Sequence, residues 1–141
     1  MNYEDVKDKL TNDYPSDGTA YLLFDGDPEN PRFEVVLLNG IEDMYELIGC
    51  ELVEYAPVRF GGEWLYAICD EEGTLHDPVP PWTIIGRSGD DLVGKVVGRV
   101  LLTMPPDDEG NDVSMTKEAA LAVLECVVRS QEDGRYYLLE E

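Results

Sequence analysis

Positive charge is scarce in this 141-residue sequence: four Lys and six Arg stand against 31 Asp and Glu, for a formal net charge of −21. Such a chain repels phosphate backbones and anionic lipid, so direct binding to nucleic acid or to a membrane surface is not expected. There is a single histidine, His76, and three cysteines, Cys50, Cys69 and Cys126, far apart and without CxxC or Cys/His spacing. That excludes a disulfide framework and a zinc finger, and it fits a reducing cytoplasm, with the cysteines as small buried hydrophobes. No stretch approaches the roughly 20 apolar residues of a membrane span, and Met1 to Asp13 is acidic, unlike a signal peptide. A soluble, cytoplasmic protein is the expectation.

What is present is apolar material spread along the whole length, 43% of the residues. A chain of this size buries about 68% of its unfolded surface as one domain, so residues 1–141 are read as a single domain without staples. Residues 1–13, with Val6 and Leu10 four apart, suggest one or two helical turns or a flexible end before Pro15. Thr19 to Phe24 and Phe33 to Leu38 read as strands of a hairpin around the turn formers of DGDPENP. In NGIEDMYELIG, Asn39 is placed to cap a helix over 41–48. Ile41, Met44, Tyr45 and Ile48 form its apolar face, and Gly49 supplies the left-handed stop. ELVEYAPVRF and WLYAIC form two strands about the turn Gly61-Gly62. The three prolines of HDPVPPW rule out an interior strand.

Further on, LVGKVVGRVLLT reads as one long strand in which Gly94 and Gly98 allow a bulge or close packing. Ser114 is expected to open a C-terminal helix over 115–131, with a stripe of Ala120, Val123, Leu124, Val127 and Val128 and a stop at Gly134. Hairpins with few helices define an α+β class: a mostly antiparallel or mixed sheet with one short inserted helix and one at the C-terminus.

Candidate sites are few. Asp25, Asp27 and Glu29 alternate as at the start of a calcium loop, but the sixth position is Asn30 where Gly is needed and the twelfth is Val36 where a bidentate Glu belongs. DDEGND (107–112) is a second acidic loop. Neither defines a metal site, and no cofactor motif is present. His76 has no assignable nucleophile, so no triad follows from spacing; with Trp82 and the proline loop it marks an alternative small-molecule pocket. Tyr55, Tyr66 and Trp64 read as packing aromatics. The sharper signal is charge: Glu42, Asp43, Glu46, Glu51 and Glu54 fall in a stretch without Lys or Arg. They are expected to form a partner-binding surface for a basic or DNA-binding protein, imitating a phosphate backbone. The alternative is a solvated shell with no partner.

Asn39-Gly40, Leu47-Ile48-Gly49 before Glu51, the strand ending VEYAPV, the strand through Ile68 with Glu72-Gly73 behind it, and Val93-Gly94 carry a likeness. Over Phe33 to Thr103 the chain resembles the family known as domain of unknown function 3846, found in phages, plasmids and other mobile elements. In that family the turn after the Glu-Gly pair leads to an asparagine between prolines and small residues; here it reads DPVPPWTII, without Asn. The resemblance implies an intracellular accessory protein of a mobile element or its host and brings no established activity.

Overall fold

The computed structural model describes all 141 residues. The chain begins with a full helix, α1 (Tyr3–Asn12), longer than the one or two turns expected from its sparse apolar residues. Asn2 explains its start, since its side chain accepts the Asp5 N–H at 3.1 Å, and Glu4 and Asp5 lie in the first turn where the helix dipole favours anions. Leu10 is buried in the core, and Lys117 donates to the Thr11 carbonyl at 3.0 Å at the other end.

β1 (Ala20–Asp25) and β2 (Arg32–Leu37) form the expected hairpin. Next comes α2 (Ile41–Ile48), with the boundaries its apolar spacing predicts, ended by Gly49 at φ 82°. The cap differs from expectation. Gly40 holds the N-cap position without a side-chain bond, and the Asp43 carboxylate instead reaches back to the Asn39 N–H at 3.0 Å. β3 (Val53–Phe60) and β4 (Glu63–Asp70) pair antiparallel about Gly61-Gly62. A 3-10 turn at Gly73–Leu75 and the proline segment then lead into β5 (Trp82–Ser88).

The expected long strand is two strands in two sheets. β6 (Asp91–Val97) pairs with β5, whereas β7 (Val100–Thr103) enters the middle of another sheet between β1 and β4. Gly98, at φ 76°, makes the break, a left-handed conformation that L side chains rarely adopt. At Gly94 the requirement is space: a Cβ there would lie 2.2 Å from the Trp82 ring.

The expected C-terminal helix over 115–131 also divides. Thr116 rather than Ser114 caps α3 (Lys117–Leu124), accepting the Ala119 N–H at 3.1 Å, and Val127 and Val128 lie in β8 (Val127–Arg129). Their β-branched side chains suit a strand, and β9 (Tyr136–Leu139), absent from the sequence reading, supplies the pairing partner. Gly134 serves the turn between these strands rather than ending a helix.

The result is an α+β domain with a five-stranded central sheet, order β2-β1-β7-β4-β3, and a four-stranded second sheet, order β6-β5-β9-β8, in which only β5 and β9 run parallel. One face of the central sheet carries Leu22, Phe24, Phe60, Leu65 and Leu102. They join Ala119, Val123 and Leu124 of α3 and Ile84 and Leu138 of the second sheet in a 20-residue core. The other face carries Tyr21, Leu23, Ile68 and Leu101, which pack with Met44 of α2 in a separate core of five. An eight-residue helix does not persist alone in water, so this small core is what fixes α2 and its charges in place.

Candidate partner-binding surface

Met44 is the buried residue of α2, flanked by half-buried Leu47 and Ile48. Ile41, expected on the same face, is 50% exposed, because it opens the helix beyond the edge of the small core. With that face turned inward, Glu42 and Glu46 project into solvent and Asp43 is half-buried at the helix start. Nothing in the last turn of α2 is basic. Arg99 supplies that charge from outside: its guanidinium donates to the Leu47 carbonyl at 2.8 Å while pairing with Asp25 at 3.0 Å. A cation at a helix C-terminus is favourable, and sequence reading gave no hint of this one.

Beside α2 lies the acidic loop 104–113. It is fastened at both ends, by a bridge between Met104 and Val113 and by the buried Thr103 hydroxyl, which donates to the Val113 carbonyl at 2.9 Å. Its main anchor is Asp112. The Tyr21 hydroxyl donates to Asp112 Oδ2 at 2.5 Å, and the Tyr55 hydroxyl lies 3.1 and 3.2 Å from the two carboxylate oxygens and 3.8 Å from Met44 Sδ. One carboxylate thus ties the loop to β1 and β3, and Tyr55 in turn touches α2 at Met44. Asp107, Asp108 and Glu109 stand exposed at its tip, where Asp107 accepts the N–H groups of Glu109 and Asn111, both at 2.9 Å. Those bonds hold the Asp107 carboxyl below its ordinary range. The molecule has four ion pairs, at Arg32–Glu34, His76–Asp70, Lys95–Glu140 and Arg99–Asp25, so the acids of α2 and of this loop have no basic side chain in contact.

Asp112→Ala leaves two phenols without their acceptor, one of them on the 4%-exposed Tyr21. It is expected to cost about 2 kcal/mol in urea unfolding, with faster amide exchange confined to loop 104–113. Burial first, and then Asp112, pushes the Tyr55 phenol from 10.0 up to about 12, and burial and the Asp112 bond push Tyr21 up further. Burial and Glu118 likewise bring Tyr14 to about 12. A raised phenol pKa favours the neutral form in the fold, so its stabilisation is complete below 10.0. It is lost as pH climbs from there through about 12, where the folded groups ionise too. Absorbance titration should show these three of the eight tyrosines ionising late, together with Tyr3, whose bond to Glu125 also raises its phenol, with unfolding midpoints falling across that window.

The remaining expected site residues separate. Glu51 is exposed in the connection between α2 and β3. Glu54 faces the other side of the sheet: Tyr55 points toward α2, and the two-residue strand period turns its neighbour away, so that the Cys69 thiol lies 3.8 Å from Glu54 Oε1. Burial, with Glu54 beside it, raises that thiol to about 12, which makes it inert as a nucleophile. His76 Nε2 lies 2.7 Å from Asp70 Oδ2, at a hollow of about 160 Å³ shared with Pro80 and Arg99. Trp82 lines a different hollow with Leu92 and Tyr137, so these two residues do not share a pocket. In the DGDPEN turn, Asp25 and Asp27 accept the N–H groups of Asp27 and Glu29 at 3.1 and 3.0 Å, so the carboxylates fold their own loop.

Two packed sheets with a short helix and an acidic loop held together on one face define an acidic α+β domain. Residues 22–127 match the family described as Domain of unknown function (DUF3846), and the chain belongs to that family. The match extends beyond 33–103 at both ends and takes in β1, the acidic loop and α3. No curated protein and no solved structure matches the chain. No helix is long and apolar enough to cross a membrane.

Proposed function

We infer that this protein works by binding, presenting an acidic ridge to a basic partner. The observation that supports it is the Tyr55 hydroxyl, which lies against Asp112 of the acidic loop and Met44 of α2 and so brings together two acidic segments: Glu42, Asp43 and Glu46 of α2, and Asp107, Asp108 and Glu109 of the loop. A solvated shell needs no such fastening. Glu51 is exposed in the connection that follows α2, whereas Glu54 belongs to the opposite face. In water these charges gain little from one another. Against a cationic groove they steer association and make it steeply salt-dependent. The partner chemistry that fits is a DNA-binding protein, with the ridge standing in for phosphates; in a mobile-element setting that partner is a host defence protein.

The reading is tested with a panel of basic DNA-binding domains, each holding a labelled duplex followed by anisotropy. The acidic protein should release the duplex from at least one member far more effectively than polyglutamate of equal charge, and release should fade as salt rises. If polyglutamate matches it across the panel, the ridge is merely a solvated anion and the reading fails.

A further inference from the structure

The two edges of the central sheet are treated differently. Glu71 donates to the Leu52 carbonyl at 3.0 Å, which fixes the ladder so that the backbone of Val53, Tyr55, Pro57 and Arg59 points outward from β3. That edge is obstructed. Pro57 has no N–H to offer, its carbonyl accepts from Lys95, and the C-terminal residues cover Arg59, whose N–H donates to Glu140 and whose carbonyl accepts from Glu141. Such devices block strand addition.

The β2 edge has no such device. Leu38 donates to the Thr19 carbonyl, so the outward residues of β2 are Phe33, Val35 and Leu37. Their N–H groups have no partner in the chain. Alongside runs α1, on the sheet face opposite α2, and between helix and strand lies an open cleft of about 380 Å³ lined by both. An edge strand beside a helix is the geometry into which an extended peptide inserts as an added strand.

The helix side carries the specificity. Asp5 and Lys9 of α1 and Asp13, the residue that caps its C-terminus, line the cleft at four-residue spacing, are exposed, and make no ion pair. Along a helix that spacing is about 6 Å, and alternate side chains of a strand are about 6.7 Å apart, so each charge can meet one residue on a single face of an added strand. We propose that the cleft between α1 and β2 binds an extended segment of another protein carrying cation, anion and cation at alternate positions, added as a sixth strand to β2. The minus-plus-minus order is the same read in either direction, so it serves a parallel or an antiparallel insert. A second copy of this chain does not fit, because two molecules of charge −21 repel and the residues β2 itself would turn toward α1 are Phe33 and Val35. The cleft is separate from the acidic ridge and does not depend on it.

The probe is a fluorescein-labelled peptide, Thr-Lys-Val-Glu-Val-Lys-Thr, with Thr-Glu-Val-Lys-Val-Glu-Thr as its charge-reversed counterpart. Anisotropy should show saturable binding of the first, at least about tenfold tighter than the second. In amide exchange the N–H groups of Phe33 and Val35 should gain protection when the first peptide binds. Val35→Pro removes one outward donor at a place equivalent to Pro57 and leaves the β1 ladder untouched, so it should abolish binding. Should that variant lose its fold, D5K/D13K alters two exposed positions, one in the first turn of α1 and one at its C-cap, and should exchange the preference between the peptides. Equal binding of the two peptides, no saturable binding, or an unchanged preference in D5K/D13K overturns the proposal. So does a dimer seen by sedimentation and abolished by Val35→Pro.

Discussion

Gly26→Ala should lower stability by about 3 kcal/mol and the thermal midpoint by about 10 °C, measured by circular dichroism on heating. Gly26 follows β1 and passes directly under β9. A Cβ built there would lie 1.9 Å from the Tyr136 carbonyl oxygen and 2.9 Å from its carbon. Both atoms are backbone, so no rotamer change relieves the clash. The Tyr136 N–H also donates to the Gly26 carbonyl at 2.9 Å, and this bond joins the central sheet to the second one. Pushing the strands apart therefore loosens the 20-residue core that spans both sheets. Gly40 provides the contrast: its φ of 172° is extended backbone open to any residue, and a Cβ there meets nothing within 4 Å. Gly40→Ser is expected to move the midpoint by about a degree or two at most. Equal effects at the two glycines would show that the contact at Tyr136 is not what Gly26 protects.

Neutralising the helix part of the ridge should have the largest effect on binding. With a DNA-binding domain that responds to the parent protein, E42Q/D43N/E46Q is expected to weaken the complex about 100-fold at low salt. The salt dependence should flatten accordingly. The variant is designed to keep its fold: Gln preserves the volume at 42 and 46, and removing their like-charge i,i+4 contact is mildly favourable. Asn at 43 retains an oxygen to accept the Asn39 N–H. Loss of the acids from the first turn costs a few tenths of a kcal/mol up to about 1, so a midpoint lowered by no more than about 4 °C with weakened binding separates charge from folding. If affinity holds in this variant while D107N/D108N/E109Q loses it, the contact lies on the loop. If neither matters, the ridge is not the interface.

How far the site could be read from residues depends on how local its determinants are. The boundaries of α2, its glycine stop and the outward direction of Glu42 and Glu46 follow from spacing within eight residues. The tight turn at Gly61-Gly62 and the exclusion of the proline segment from the sheet interior were equally legible. Asp112 was visible as one acid of an acidic loop. Its role depends on Tyr21 and Tyr55, which lie 91 and 57 residues away in the chain, and no local pattern encodes that meeting. Glu54 shows the opposite limit, since a strand read in the right place still leaves open which of its faces meets the helix.

The same division holds for the fold. Sequence alone determined that this is an acidic α+β domain with α2, the β1–β2 and β3–β4 hairpins and a helix near Ala120, because apolar period and turn residues act over a few positions. Tertiary structure decided that the run around Gly98 divides between two sheets, that Val127 and Val128 leave the helical stripe for a strand, and that Tyr136–Leu139 pairs with both β8 and β5. Short apolar runs fit helix or strand about equally well by themselves. The hydrogen bonds and burial that settle the choice come from residues distant in sequence, and they exist only once the sheets have assembled.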